Sequence, residues 1–422
     1  MSRTRILVAL ALIYMLFAVL LNSVGTVILQ SIVTFGVDKP TASLLEACKD
    51  LTIAASSFLV ASFLPMLGYR RAMMVALVIV AAASLAMPVL RSFHTTEFLF
   101  VCIGLAFALT KVAVYSSIGL LTVDKAGHSR LTNTIEGLFM VGVLLGGWLF
   151  SAFIDTARPA DPQWFRVYWL LAALAGALLA LLAVSRLDES AARGAQPLSA
   201  ADSFTGMVKM LGRPLVYCFL SSAFLYVLIE QSFGTWLPTF NREVLMLPNT
   251  MSIQLASILA GTTALGRIGA GVVLKKVPWY VLLNVCVVAM GLLVVLTLPL
   301  ASQVEARPGV GWFNAPIAAY VIPLIGLLMA PIYPVINSVA LSSLPRPLHA
   351  AMTGLIVVFS ALGGTLGSRI TAVVFARFDG IHAFYFSLAP MTLLLLTLFF
   401  FRREADRATV TNGVGPLTSR PA

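Results

Sequence analysis

The sequence predicts an all-α integral membrane protein with twelve transmembrane helices in two six-helix bundles. Three observations carry that expectation. Of 422 residues, 59% are hydrophobic and only 11% charged, whereas soluble domains carry roughly a quarter charged residues. The apolar residues, about 250 at about 20 per crossing, allow roughly a dozen crossings and leave little for any extramembrane domain. Finally, the apolar runs fall into two groups of six, divided near the midpoint by the only long internal loop.

The first run spans residues 6–30. Arg3 and Arg5 precede it, but it is long and lacks a small-residue cleavage site, so it is expected to be a retained span rather than a signal peptide. Runs at about 42–66, 72–90, 98–122, 132–154 and 167–185 complete an N-terminal bundle over 1–185. A stretch rich in Ala, Ser, Gly and charge, 186–213, forms the central loop. Runs at about 214–240, 251–274, 278–300, 313–343, 350–376 and 382–401 make a C-terminal bundle over 214–402, and 403–422 is a polar tail.

Basic residues orient this arrangement. Arg70-Arg71, Lys125, Arg130, Arg186, Arg213, Lys275-Lys276, Arg346 and Arg402-Arg403 fall on the side of the N-terminus, while Lys39, Arg91, Arg158, Arg166, Arg242, Arg307 and Arg377 fall opposite. The positive-inside rule then places both termini, the central loop and the tail in the cytoplasm of a plasma (inner) membrane. The net charge of +11 is thus a record of topology, and no nucleic-acid partner is expected.

The halves echo one another. Tyr115 precedes Gly146-Gly147 at nearly the spacing by which Tyr333 precedes Gly363-Gly364, and a basic pair follows the second run of each half. Spans 3, 6, 9 and 12 carry no interior charge; the intramembrane charges lie on spans 2, 4, 5, 7, 8 and 11. Such a distribution fits bundles in which every third helix faces lipid and the others border a wet cavity.

Enzyme chemistry finds no support. The chain has no P-loop, no GxSxG elbow and no GxGxxG after a strand. Cys48, Cys102, Cys218 and Cys286 lie in apolar runs without CxxC spacing, and the four histidines are scattered, so neither a metal nor a cofactor is expected.

These features, with Gly266-Arg267-Ile268-Gly269-Ala270-Gly271 leading into Lys275-Lys276, resemble the major facilitator superfamily over nearly the whole chain. The family's loop motif, Gly-x-x-x-Asp-Arg-x-Gly-Arg-Arg, is partly retained over Ala61 to Arg70, with Pro65 in place of Asp. Its second copy keeps Gly271 but has Lys275 and Pro278 in place of Asp and Gly. Asn22-Ser23 with Gln30, Tyr226 to Trp236, and Ala330 to Ser338 resemble the fucose, galactose and glucose:proton symporter branch. That resemblance implies proton coupling through an Asp in span 1 and a Glu in span 4. Ser23 and Thr110 stand there instead, so any coupling must use other carboxylates.

Lys111 is the most informative side chain. It lies near the middle of span 4, where an ammonium costs roughly 2.5–3.5 kcal/mol on insertion scales and calls for a partner or a cavity. Tyr115 follows one turn on, sharing its face, with Thr110 and Ser117 as weaker polar contacts. Glu46, Lys49 and Asp50 share a face of span 2 and can pair; Ser43-Leu44-Leu45-Glu46 also reads as a capping box. Ser222, Tyr226 and Glu230 form a stripe on span 7 beside Gln231, while Trp236 reads as an interfacial aromatic. Tyr333 and Asn337 share a face of span 10, as do Asn22, Thr26 and Gln30 on span 1; such groups suit sugar hydroxyls and equally serve as interhelical glue. Glu136, inside span 5, either carries a proton or pairs with Arg130. Pro323, Pro331 and Pro334 mark a bent span 10.

The function expected is proton-coupled alternating access, by rocking of the two bundles, that moves a small polar solute, a sugar or sugar acid. Asn22, Gln30, Lys111, Tyr115, Tyr226, Gln231, Tyr333 and Asn337 are candidate solute contacts, and Asp50, Glu136 and Glu230 candidate proton carriers. Glu46 and Lys49 are assigned to gating, as the resemblance implies for Arg267. The expected partners are a solute, protons and lipid, with a monomer as the working unit. Efflux of amphipathic drugs and a non-transporting receptor or scaffold are the alternatives.

Overall fold

The computed structural model describes residues 2–122, 125–185, 187–189, 207–307, 309–344 and 348–411; Arg346, most of the expected central loop 186–213 and the end of the expected tail 403–422 lie outside the described residues. No strand occurs among the described residues. The spanning helices are α1 (Ser2–Asn22, continuing as Val24–Phe35), α2 (Leu44–Leu67), α3 (Tyr69–Leu90), α4 (Phe93–Leu121), α5 (Lys125–Ser151) and α6 (Val167–Val184). They continue with α7 (Pro214–Glu243), α8 (Asn249–Val273), α9 (Trp279–Ala301), α10 (Ala318–Ser342), α11 (His349–Arg377) and α12 (Leu388–Thr411), the last preceded by the short helix Gly380–Tyr385. Eleven candidate spans meet the length and hydropathy of a membrane crossing among the described residues. The 24-residue α2, which carries Glu46, Lys49 and Asp50, is also long enough and makes the twelfth. Helices answer the chemistry of lipid, in which every backbone N–H and C=O must find its partner inside the segment.

Where a helix is interrupted, side chains satisfy the freed groups. The break in α1 falls at Ser23, whose hydroxyl donates to the Leu20 carbonyl at 2.8 Å. As its three prolines predict, α10 runs in pieces: Ala318–Val321, a 3₁₀ turn Ile322–Leu324, Ile325–Met329 and Ile332–Ser342. Proline cannot donate to the ladder and so leaves the carbonyl four residues before it unserved; at the 3₁₀ turn the Thr262 hydroxyl of α8 donates to the Pro323 carbonyl at 2.7 Å.

Two compact units emerge. The first comprises Met1–Ala200, Leu237–Arg242 and Leu247–Ala260; the second comprises Ala201–Trp236, Glu243–Met246 and Gly261–Ala422. In the first, α2 packs on α4, α3 on α4 and α6, and α1 on α5. Glycine allows the last of these approaches: a Cβ added at Gly142 would lie 2.7 Å from the Met15 carbonyl oxygen. In the second, a Cβ at Gly363 of α11 would lie 2.5 Å from the Phe224 carbonyl oxygen of α7. Small residues that let backbones approach supply much of the packing in membranes, where lipid tails weaken the hydrophobic drive. On α9, Val281, Val285, Val288, Leu292 and Leu296 form an exposed apolar stripe at helical spacing, fit for lipid.

Arg70, the last position of the partial loop motif, serves the first unit from within. Its Nε donates to the Leu182 carbonyl at 3.0 Å and its guanidinium also reaches the Ala183 carbonyl, while its backbone N–H donates to Glu189 Oε1 at 2.7 Å. A guanidinium at the last carbonyls of α6 satisfies acceptors that no helical N–H reaches, and it complements the negative end of the helix dipole.

Candidate functional site

One polar cluster of the first unit is built from α1, α4 and α5. Tyr14 of α1 is almost fully buried and donates its hydroxyl to Glu136 Oε1 of α5 at 3.2 Å. Tyr115 of α4 donates to the same oxygen in a short contact. A carboxylate in a membrane interior is costly unless partnered, and hydrogen bonds to a charged acceptor are the stronger kind. Aromatic rings wall the cluster: Tyr14 stacks on Phe107 at 6.1 Å and meets Phe139 at 4.9 Å and, edge-on, Tyr115 at 6.2 Å between centroids.

Lys111 stands beside it. Its Nζ lies 5.8 Å from the Phe107 ring centroid, within range of a cation–π attraction, and it feels the charge of Glu136. Its side chain is exposed although it lies deep in the helical sequence of α4. Phe98, Val101 and Leu105 form an exposed apolar stripe on α4, suited to lipid. At roughly 100° per residue, Lys111 is turned about 120° away from Leu105, whereas Tyr115 and Phe107 each fall about 40° from Lys111. The helix therefore has a second, polar face distinct from its apolar one. Thr110 and Ser117, expected as weaker contacts, are fully buried off that face: Ser117 bonds the Ala113 carbonyl and the Thr110 hydroxyl has no hydrogen-bond partner among the described residues.

On α2, Lys49 Nζ lies 2.6 Å from Glu46 Oε1 and 3.4 Å from Asp50 Oδ1, with all three side chains buried or nearly so. The capping-box reading of Ser43 to Glu46 is corrected here. Ser43 has helical φ −65° and ψ −14°, makes no side-chain cap and donates instead to the Pro40 carbonyl at 2.7 Å. The reason is that helix begins earlier, at Lys39–Ala42, capped by Asp38, which accepts from the Thr41 N–H at 2.9 Å. Glu46 is left to the ion pair.

The polar residues of α1 are not brought together. Asn22 is exposed and folds back on the Ala18 carbonyl at 2.9 Å. Gln30, beyond the interruption at Ser23, is fully buried and accepts from Asn249 Nδ2 at 2.8 Å. The pairing expected for Glu136 is also corrected: tyrosine hydroxyls of α1 and α4, not Arg130, hold its carboxylate.

In the second unit Tyr226 of α7 donates to Glu230 Oε1 at 2.9 Å. Its ring stacks on that of Tyr333 of α10, with centroids 5.6 Å apart and planes inclined by 25°. Tyr333 shares a 2.9 Å hydrogen bond with Ser360 of α11, and the buried Oδ1 of Asn337, one turn on, has no hydrogen-bond partner among the described residues. Gln231 is half-buried next to Glu230. Arg267 is exposed on α8, within electrostatic reach of Tyr226. Ser222 leaves the expected stripe, since it bonds Thr397 of α12 at 3.0 Å. Trp236 is corrected from an interfacial to a core residue: it is fully buried and its indole N–H reaches the Ser368 carbonyl at 3.0 Å. The helix runs on to Glu243, so Trp236 lies well inside it.

Tyr14, Phe107, Phe139 and Ser360 are the site neighbours that sequence reasoning missed. A signal for Tyr14 existed, because it lies as far past the start of α1 as Tyr226 does past the start of α7.

Comparison with known proteins fits this architecture. The family model described as Major Facilitator Superfamily matches residues 7–368. Among solved structures, a bacterial homologue of the human lysosomal transporter Spinster superposes with a TM-score of 0.75 at 14% identity, covering 97% of this chain and 98% of its own. The xylose transporter from E. coli gives 0.72 at 13%, covering 94% and 96%. The E. coli fucose:proton symporter gives 0.61 at 14%, covering 96% and 99%. No curated protein matches by sequence.

Proposed function

The chain belongs to the Major Facilitator Superfamily and is a multi-pass membrane transporter; we propose that it moves a small polar solute, a sugar or sugar acid, by proton-coupled alternating access. The observation that carries this reading is the polar face of α4, where the Lys111 ammonium stands beside a carboxylate held by two phenols. A cation retained on a face turned away from the apolar stripe is available to a solute, and Glu136 is a group that can exchange a proton. The second unit adds neutral hydroxyl and amide chemistry at Tyr226, Tyr333 and Asn337, suited to solute hydroxyls, with Glu230 bound to Tyr226. Asp50 remains a further candidate for proton carriage, since it forms a buried group in which two carboxylates face one ammonium. The setting is an inner membrane with both termini in the cytoplasm, and the driving force is an inward proton gradient worth about 2.3 kcal/mol per 100 mV plus about 1.4 kcal/mol per pH unit.

The test is uptake into proteoliposomes of a panel of radiolabelled neutral sugars and sugar acids, with and without an acid-outside gradient, for wild type and Lys111→Ala. Gradient-dependent accumulation of at least one solute, lost in the variant, is expected. Absence of gradient-dependent flux for every solute would remove the symport reading, and selective flux of lipophilic cations would favour drug efflux.

A further inference from the structure

Both tyrosine hydroxyls that hold Glu136 converge on one oxygen, Oε1. The other carboxylate oxygen, Oε2, receives neither of them. Lys111, whose charge acts on Glu136, makes no ion pair within 4.0 Å among the described residues, and its side chain is exposed on the same face of α4 as Tyr115. The site thus holds an anchored carboxylate with one oxygen outside the tyrosine contacts, and beside it an exposed ammonium with no ion pair among the described residues.

Resting on the transporter reading above, we infer that the solute is an organic carboxylate and that Lys111 and Glu136 form an exchange pair, in which the solute carboxylate takes the charge of Lys111 while Glu136 takes up one proton.

Charge balance supplies the reason. In the empty site the Lys111 ammonium and the Glu136 carboxylate offset one another. An incoming carboxylate adds a negative charge that the membrane interior disfavours. Neutrality is restored when a proton from the aqueous phase forms an O–H bond at Glu136 Oε2, and release of the solute reverses the step as that O–H bond breaks. The protonated acid keeps its place, because a carbonyl-like Oε1 still accepts from Tyr14 and Tyr115. The ionisable groups facing Glu136 are Tyr14 from α1 and Lys111 and Tyr115 from α4. On its own helix Arg130 is exposed and lies about 120° around from it. One anion and one proton enter together, so transport carries no net charge, and for a carboxylate solute only the pH part of the proton gradient drives it. Linkage fixes the sign: binding that takes up a proton tightens as pH falls, by up to about tenfold per pH unit.

The experiment is thermal unfolding of the purified full chain in detergent at pH 6 and pH 8, at matched ionic strength. The probes are sodium lactate, gluconate and glucuronate, set against glycerol and glucose. At least one carboxylate is expected to raise Tm, more strongly at pH 6, and the neutral probes to leave it unchanged. Lys111→Ala is expected to lose the response and Lys111→Arg to keep it, which separates loss of charge from loss of folding. Glu136→Gln, permanently neutral, is expected to keep the carboxylate response and lose its pH dependence. Stabilisation by glucose alone would overturn the anion inference and leave sugar transport standing. No response to any carboxylate would overturn the inference as well, while the gradient-driven uptake assay still judges the transporter reading. A pH dependence that survives in Glu136→Gln would remove Glu136 as the proton carrier.

Discussion

Each unit contains a tyrosine pair on its first and fourth helices, and the two pairs are put to different use. In the first unit Tyr14 and Tyr115 meet edge-on, at 87° between planes, and both hydroxyls reach one oxygen of Glu136. In the second, Tyr226 and Tyr333 stack at 25°, and their hydroxyls go to different partners, Glu230 and Ser360. Ring geometry decides where the hydroxyls point, and this decides the chemistry. Convergent phenols hold one carboxylate beside a lysine; divergent phenols serve a carboxylate, Glu230, and a hydroxyl, Ser360, separately. On the proposed reading, the first half serves charge and protons and the second serves solute hydroxyls.

The comparison breaks most visibly if the two carboxylates are exchanged in role. Glu136→Gln is expected to lower gradient-driven accumulation by about two orders of magnitude, the scale of roughly 2.7 kcal/mol, while Glu230→Gln leaves the dependence on the gradient intact; uptake at a series of imposed pH differences measures both. Next in size, Tyr14→Phe and Tyr115→Phe each remove one donor to a charged acceptor, a contribution of about 1.5–3 kcal/mol. The pH profile of uptake should therefore move to higher pH in both variants. Tyr333→Phe sharpens the contrast: it should weaken solute affinity by about fivefold, from about 1 kcal/mol for a neutral hydrogen bond, with the pH profile unmoved. The smallest effect on transport concerns packing alone. Gly142→Ala and Gly363→Ala place a Cβ against carbonyl oxygens of α1 and α7 and should each cost about 1–3 kcal/mol, read as a lower Tm without a change in solute selectivity.

The fold was legible because lipid imposes a simple rule, about 20 apolar residues per crossing, and the runs obey it. The ends of helices were less so. Ser43 looked like a cap because its spacing to Glu46 fits, yet Asp38 and Pro40 upstream start the helix first. Trp236 looked interfacial because tryptophan often is, but a buried indole needs only one acceptor, which Ser368 supplies. In the site, Lys111 was legible as a charge in an apolar run, and Glu136 was found without its partners. Tyr14 was hidden for the opposite reason: a tyrosine in the middle of the apolar run from Ile6 to Leu21 reads as one more bulky apolar residue. Its hydroxyl acquires meaning only when α5 brings Glu136 against it. Contacts across helices far apart in sequence, such as Gln30 with Asn249, carry no local signal at all.

The most direct test of the central claim is proton movement itself. Proteoliposomes with the wild-type chain, in weakly buffered medium, should turn the external solution alkaline when a transported solute is added, one proton for each solute taken up. With Glu136→Gln the same addition should leave the external pH unchanged. Alkalinisation by the Glu136→Gln variant equal to that of wild type would contradict the account, because the proton would then travel by a route that does not include the carboxylate held by Tyr14 and Tyr115.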